Sequence, residues 1–147
     1  MLRRLISIAV AAATPAAAAT QESPAADRAS AQLSIAAGET VTARIADGGF
    51  ILVGRALGEA SGDVPEGTVR FSFTDMGGMT MLQVENGTGR PFEYRARMFS
   101  GSRSARTSTC TVLPGMSGFE QWPHPIDRLE ISEPELGSAS QAAIRCR

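Results

Sequence analysis

Short apolar runs separated by turn-forming residues are the feature that most constrains how this chain can fold. From residue 33 onward, apolar and polar residues alternate over a few positions before Gly, Pro, Asn or Asp interrupts the run. The segment from Asp47 to Gly49 is typical of a tight hairpin turn. The best candidate for a helix, residues 129–142, is interrupted by Pro134 and Gly137. The sequence therefore predicts an all-β protein.

Two segments illustrate the strand patterns. From Phe92 to Phe99, apolar and polar residues alternate with a period of two, so one face of the strand is apolar and the other is charged. The run from Phe50 to Val53 is apolar throughout, which is typical of a strand that is covered on both faces. We therefore expect both half-buried and fully buried strands.

The spacing of the strands indicates how they assemble. Roughly eight or nine short strands, separated by turns at about 8–15 residues, favour an antiparallel β-sandwich. The rhythm of apolar residues from Leu82 to Met98 resembles a hairpin of immunoglobulin-like sandwiches, so we favour that topology. A small closed β-barrel is the alternative, because it accommodates the same alternation.

The first 19 residues have the pattern of an export signal. Arg3 and Arg4 precede an apolar stretch, and small residues follow it up to Ala19. The apolar stretch is shorter than the ~20 residues that span a bilayer. We therefore expect residues 1–19 to be a cleaved signal peptide, residues 20–31 a flexible leader, and residues 32–147 a single domain that is periplasmic or secreted.

Cys110 and Cys146 are the two cysteines of the chain, and both lie within the expected domain. In an oxidising compartment, an even pair of cysteines favours one disulfide. A redox-active or metal-binding pair is the alternative, but active dithiols usually have Cys-x-x-Cys spacing and metal sites bring further ligands. The sequence therefore predicts a structural disulfide that ties the last segment to the body of the domain.

The charge balance restricts the class of partner. The formal net charge is −1, so the chain lacks the basic surface that attracts nucleic acid or an anionic membrane. After residue 19, no apolar segment is long enough to span a bilayer. We therefore expect neither a nucleic-acid partner nor a membrane span.

The sequence does not favour catalysis. His124 is the one histidine, and a catalytic triad would need it beside a serine and a carboxylate such as Asp127 or Glu120. The Gly-x-Ser-x-Gly turn that supports many such nucleophiles does not occur. The favoured hypothesis is a non-catalytic protein, and a hydrolase with an atypical carboxylate site is the weakest alternative.

An arginine-rich surface points instead to binding. Guanidinium groups match carboxylates and phosphates, to which they donate two hydrogen bonds at once. Four arginines lie on a charged strand face and on the polar tip that follows it: Arg95, Arg97, Arg103 and Arg106. Acids such as Glu85 and Glu93 could instead neutralise this face in cross-strand pairs. We expect the partner to be an envelope protein, a glycan or a small anionic ligand.

A second candidate for recognition follows the arginines along the chain. The segment Phe119–Pro125 contains Phe119, Trp122 and His124, and its prolines are expected to make it a stiff, extended loop. A pre-organised aromatic loop suits recognition, because little entropy is lost on binding. The alternative is that the loop plugs one end of the sandwich, with Trp122 covering the core.

Three methionines within six residues provide an alternative function. The thioethers of Met76, Met79 and Met81 are soft ligands that select Cu(I), and His124 could complete such a site. Met79 and Met81 are two residues apart, so on a strand they would share a face and would serve equally well as core residues. The favoured hypothesis needs no cofactor, whereas this alternative makes the protein a Cu(I) carrier.

Overall fold

The computed structural model describes residues 28–138 and 143–147. Within these residues the secondary structure consists of strands, and all strand pairs are antiparallel. The strands are β1 (Gln32–Ala36), β2 (Glu39–Ala46), β3 (Gly49–Leu57), β4 (Thr68–Asp75), β5 (Thr80–Asn86), β6 (Phe92–Ser100), β7 (Arg103–Thr107), β8 (Ser117–Trp122) and β9 (Arg128–Leu136).

The strands form a four-stranded sheet in the order β1-β9-β6-β7 and a five-stranded sheet in the order β3-β2-β4-β5-β8. The predicted all-β sandwich is therefore confirmed, and two separate sheets replace the single closed sheet of the barrel alternative. The immunoglobulin-like variant is not confirmed. In that fold the first two strands share a sheet, whereas β1 and β2 lie in different sheets here.

The core lies between the two sheets and is made by the alternating apolar residues. Phe71 on β4 is fully buried at its centre. Its ring lies edge-on to three other rings, with centroid distances of 6.1 Å to Phe50, 5.9 Å to Phe92 and 6.0 Å to Tyr94. Aromatic pairs at such distances prefer this edge-to-face arrangement. The cluster joins strands of both sheets and so holds the layers together.

The expectation that the apolar run from Phe50 to Val53 is covered on both faces is wrong. Phe50 is buried, but Leu52 is 45% exposed and Val53 is 56% exposed. The reason is that β3 lies at the edge of its sheet, where only one neighbouring strand covers it. A β-bulge opposite Thr42 and Ala43 also leaves Val53 outside the regular register.

The predicted disulfide is confirmed. Cys110 and Cys146 are bonded to each other and also form an antiparallel β-bridge. Thr109 and Arg147 exchange two backbone hydrogen bonds of 3.0 Å beside this bridge. The disulfide and these hydrogen bonds hold residues 143–147 against the segment that follows β7. A disulfide of this kind is compatible with an oxidising compartment.

The predicted signal peptide, residues 1–19, lies outside the described residues, as does the predicted leader up to residue 27. The last part of that leader contacts the domain, because Ser30 and Phe50 exchange two backbone hydrogen bonds of 2.8 Å. Among the described residues there is no helix that is long and apolar enough to cross a membrane.

Candidate functional site

The outer face of the four-stranded sheet carries the arginines of β6. Tyr94 and Ala96 point into the core, so the alternation of the strand turns Arg95 and Arg97 outward. Arg97 lies directly opposite Arg106 of β7 and, on its other side, directly opposite Glu130 of β9. Directly paired residues share a face of the sheet, so these side chains form one row across three strands.

These side chains line an open groove of about 740 Å³ on the sheet surface. We call it the arginine groove, and its charged lining residues are Arg95, Arg97, Arg106, Arg147, Glu130 and Glu133. The volume lies within the range of about 300–1,000 Å³ that is typical of small-molecule sites. Glu93 and Glu135 bind Arg147 from outside this lining and Glu133 pairs with Arg95, so the excess positive charge of the groove lies on Arg97 and Arg106.

Ion pairs neutralise only part of this groove. The Nε atom of Arg95 lies 3.8 Å from a carboxylate oxygen of Glu133. Glu130 is bound at 2.6 Å by Arg128 rather than by Arg97. Among residues 28–138 and 143–147, neither Arg97 nor Arg106 forms an ion pair. Two cations therefore face each other on neighbouring strands without a carboxylate between them.

The two acids that the sequence offered as neutralising partners are engaged elsewhere. Glu85 on β5 pairs with the buried Arg70, with 3.1 Å between its carboxylate oxygen and Nε. Arg70 also donates a hydrogen bond of 2.8 Å to the carbonyl oxygen of Gly62, which attaches the segment before β4 to the sheet. Glu93 on β6 binds the guanidinium group of Arg147. Neither acid pairs with Arg95 or Arg97.

Arg103 does not join the other arginines. The polar segment after β6 was expected to be a tip, but β7 already begins at Arg103, so this expectation is wrong. Along β7 the faces alternate, and Arg103 lies on the face opposite to Arg106. It lines a separate groove of about 560 Å³ together with His124. We call this second groove the edge groove.

The predicted aromatic loop is partly a strand and partly a loop in the structure. Phe119 and Trp122 belong to strand β8 rather than to a loop, so that part of the expectation is wrong. Trp122 is buried against Phe73, with 6.5 Å between ring centroids, and its indole N–H donates a 2.9 Å hydrogen bond to the hydroxyl oxygen of Thr107. Phe119 is 57% exposed and lies on the five-stranded sheet, away from the arginine groove.

The three methionines lie at one end of the five-stranded sheet. Met76 and Met79 flank the turn before β5 and are exposed, and the Sδ atom of Met81 accepts a weak hydrogen bond of 3.6 Å from Gln121. The carbonyl oxygen of His124 accepts a 3.1 Å hydrogen bond from Thr80, which brings the two segments together. His124 nevertheless lines the edge groove, to which none of the three methionines contributes. The Cu(I) alternative stays a prediction.

Further metal ligands do not gather elsewhere in the described part of the chain, where no group of three His, Cys, Asp or Glu residues could hold a metal ion. The carboxylates that were considered beside His124 have other contacts. Asp127 accepts a 2.6 Å hydrogen bond from the backbone N–H of Gly101, and Glu120 accepts one of 3.1 Å from the backbone N–H of Cys110. Both contacts are structural, since each holds a loop or bridge in place.

Glu120 is the carboxylate whose acidity the fold alters. Partial burial raises its pKa above 4.5, and the hydrogen bond from the Cys110 N–H acts in the opposite direction. Burial also raises the pKa of the Tyr94 hydroxyl, and the nearby charge of Glu120 adds to that effect. Glu120 therefore points inward at the margin of the core, where its charge is unfavourable.

A pH-dependent gain in stability is expected for Glu120→Gln. The folded protein holds the proton of Glu120 more tightly than the unfolded chain does, so the stability that Glu120 contributes is present below about pH 4.5 and is lost as the pH rises through its raised pKa. The glutamine variant should therefore have a higher Tm than the wild type at pH 7, by a few degrees at most, and an equal Tm at pH 3.5.

Thermal unfolding followed by circular dichroism at both pH values tests this expectation. The exposed Glu59→Gln variant is the control, and it should match the wild type at both pH values. Equal stability of the Glu120→Gln variant and the wild type at pH 7 would show that solvent fully compensates the charge of Glu120.

Several residues of the arginine groove were missed from the sequence. Glu130 belongs to the alternating polar residues of β9, but this alternation alone does not show which strand lies beside β9 in the sheet. Glu133 adopts a left-handed backbone with φ of 51°, which is uncommon for a residue other than glycine and accompanies a register shift between β6 and β9. Arg147 reaches the groove because the disulfide and the backbone hydrogen bonds with Thr109 hold its segment against the sheet.

No family model, no curated protein and no solved structure matches this chain. The fold and the site define this protein as a disulfide-bonded β-sandwich with an arginine-lined groove on one sheet.

Proposed function

We propose that this protein is an exported, non-catalytic binding protein that holds an anionic ligand in the arginine groove. The observation that carries the proposal is the direct cross-strand pairing of Arg97 with Arg106, neither of which forms an ion pair among the described residues. Like charges directly opposite each other destabilise a sheet. An anion bound between them would remove that repulsion.

The chemistry of the groove supports a carboxylate, phosphate or sulfate group as the recognised part of the ligand. Guanidinium groups bind such anions with two parallel hydrogen bonds, and those bonds are about twice as strong as neutral ones. The side chain of Arg97 is already oriented by a 3.4 Å hydrogen bond to the hydroxyl oxygen of Ser104. Glycans, proteins and small molecules of the cell envelope all present such anionic groups.

The export part of the proposal is supported by two observations. Residues 1–19 have the charged, apolar and small-residue regions of a signal peptide. The disulfide between Cys110 and Cys146 is compatible with the oxidising conditions of a periplasm or of the exterior. The proposed place of action is therefore the periplasm or the outside of the cell.

Isothermal titration calorimetry with citrate and with inorganic phosphate, at low ionic strength, tests the binding site. We expect the double variant Arg97→Gln/Arg106→Gln to bind these probes at least about tenfold more weakly than the wild type, because each lost charged hydrogen bond removes about 1.5–3 kcal/mol before solvent screening. The affinity of the wild type should fall as salt is added, since the site is exposed.

Arg44→Gln is the matched control, because Arg44 is an exposed arginine on the other sheet. This variant removes one arginine charge, half of the change in the double variant, and should bind like the wild type. A wild type that binds neither probe, or a double variant that binds both as tightly as the wild type does, would contradict the proposal.

A further inference from the structure

The sandwich is open along one side, between the edge strands β7 and β8. The inward-facing row of β7 consists of Arg103, Ala105 and Thr107, and Thr107 lies directly opposite the buried Ala96. Trp122 at the end of β8 covers Thr107 through the hydrogen bond between its indole N–H and the hydroxyl group. No strand of the described residues covers the rest of this row, because β8 ends at Trp122.

The edge groove occupies this uncovered side. Its floor is apolar: Ile126 is buried in the core, and Met98 is half-buried and packs against the core. Ala105 and Pro125 add apolar walls. A ligand in the groove would therefore contact the margin of the hydrophobic core, and an aliphatic chain placed there would be removed from water.

The rim of the groove carries a guanidinium group and an imidazole ring. Arg103 and His124 both line it and both are exposed. Within residues 28–138 and 143–147, neither side chain forms an ion pair. The groove thus combines an apolar floor with a guanidinium group that is available to an anion. Its volume of about 560 Å³ is that of a small-molecule site.

We propose that the edge groove binds a small amphipathic carboxylate, such as a medium-chain fatty acid. The aliphatic tail lies along Met98, Ala105 and Pro125, and the carboxylate accepts hydrogen bonds from the guanidinium group of Arg103, with His124 beside it. This site shares no lining residue with the arginine groove, so it does not depend on the function proposed for that groove.

Calorimetric titration with octanoate tests the proposal, with 1-octanol and acetate as probes that lack the charge and the tail respectively. We expect saturable binding of octanoate by the wild type, and binding of both other probes at least about tenfold weaker. The chain has one tryptophan. Because Trp122 lies two residues before His124, which lines the groove, its fluorescence should change over the same range of octanoate concentration.

The variant Arg103→Gln locates the site. It should weaken octanoate binding by about tenfold, and Arg44→Gln, an exposed arginine on the other sheet, should leave the affinity within about twofold of the wild type. Circular dichroism of both variants checks that they fold. The proposal is overturned if the wild type shows no saturable heat with octanoate, if 1-octanol binds as tightly, or if Arg103→Gln binds octanoate like the wild type.

The outcome of the octanoate titration can be separated from the outcome of the citrate and phosphate titration of the arginine groove. The variant Arg97→Gln/Arg106→Gln reports on citrate and phosphate, whereas Arg103→Gln reports on octanoate. Loss of octanoate binding by Arg103→Gln supports the edge groove even where citrate fails to bind the wild type. Equal octanoate affinity in Arg103→Gln overturns the edge groove even where the citrate experiment succeeds.

Discussion

Replacing both Cys110 and Cys146 by alanine is expected to lower the free energy of unfolding by about 4 kcal/mol and the Tm by about 15 °C. The two residues are 36 positions apart, so the disulfide removes the conformational entropy of a long loop from the unfolded chain. The loss is large because a domain of this size is typically stable by only about 5–15 kcal/mol.

Urea unfolding of the oxidised wild type and of the double alanine variant measures the difference. The oxidised wild type treated with a thiol reductant should move toward the stability of the variant, which separates loss of the bond from loss of the side chains. A second consequence is local: residues 143–147 should lose protection from amide hydrogen exchange before the strands do. Equal stability with and without the disulfide would mean that the backbone bridge of Thr109 and Arg147 alone holds this segment.

Phe71→Ala is expected to destabilise the domain by about 3–5 kcal/mol, which is the usual cost of removing a buried phenylalanine. Phe71 is 0% exposed and contacts three other rings at centroid distances near 6 Å. The substitution leaves a cavity where the two sheets meet, and the neighbouring rings lose their edge-to-face contacts. Chemical denaturation monitored by circular dichroism gives the change in unfolding free energy.

Phe119→Ala is the matched control for that experiment. It makes the same chemical change at a position that is 57% exposed on the outer face of the five-stranded sheet. We expect a change within about 0.5 kcal/mol, as for most surface substitutions. If the two variants had equal stability, the core would not be centred on Phe71.

The fold class could be predicted because it depends on local patterns. The period of two from Phe92 to Phe99 correctly indicates β6, with Phe92 and Tyr94 buried and Arg95 and Arg97 turned outward. The disulfide could also be predicted, because a domain with two cysteines has one intramolecular pairing. The strand patterns do not contain the sheet order, since the same alternation is compatible with several topologies.

Burial at sheet edges could not be predicted. The run from Phe50 to Val53 has the composition of a covered strand, yet Leu52 and Val53 are exposed because, beyond the bridge between Ser30 and Phe50, β3 has a neighbour on only one side. The opposite case is Arg70, an arginine that is 3% exposed because the segment before β4 lies over it and accepts its hydrogen bonds. In both cases, the exposure depends on which segments of the folded chain lie against the residue.

The candidate sites show the same division. The sequence places Arg95 and Arg97 on one face, because two residues on one strand keep their relation whatever surrounds them. It cannot place Arg103 and Arg106 relative to them, since that depends on where β7 begins and how it pairs with β6. In the structure, Arg106 lines the arginine groove and Arg103 lines the edge groove.

The amino-acid sequence was enough to predict that this protein is built from short antiparallel strands, that its two cysteines pair, and that Arg95 and Arg97 share one face of a strand. Those properties follow from residue type and from spacing of two along the chain. The folded arrangement was needed to show which strands are edges, which arginines lack a carboxylate partner among the described residues, and which residues share a groove. Those properties depend on contacts between residues far apart in the chain, such as Arg97 with Glu130 or Glu93 with Arg147, and no local pattern specifies them.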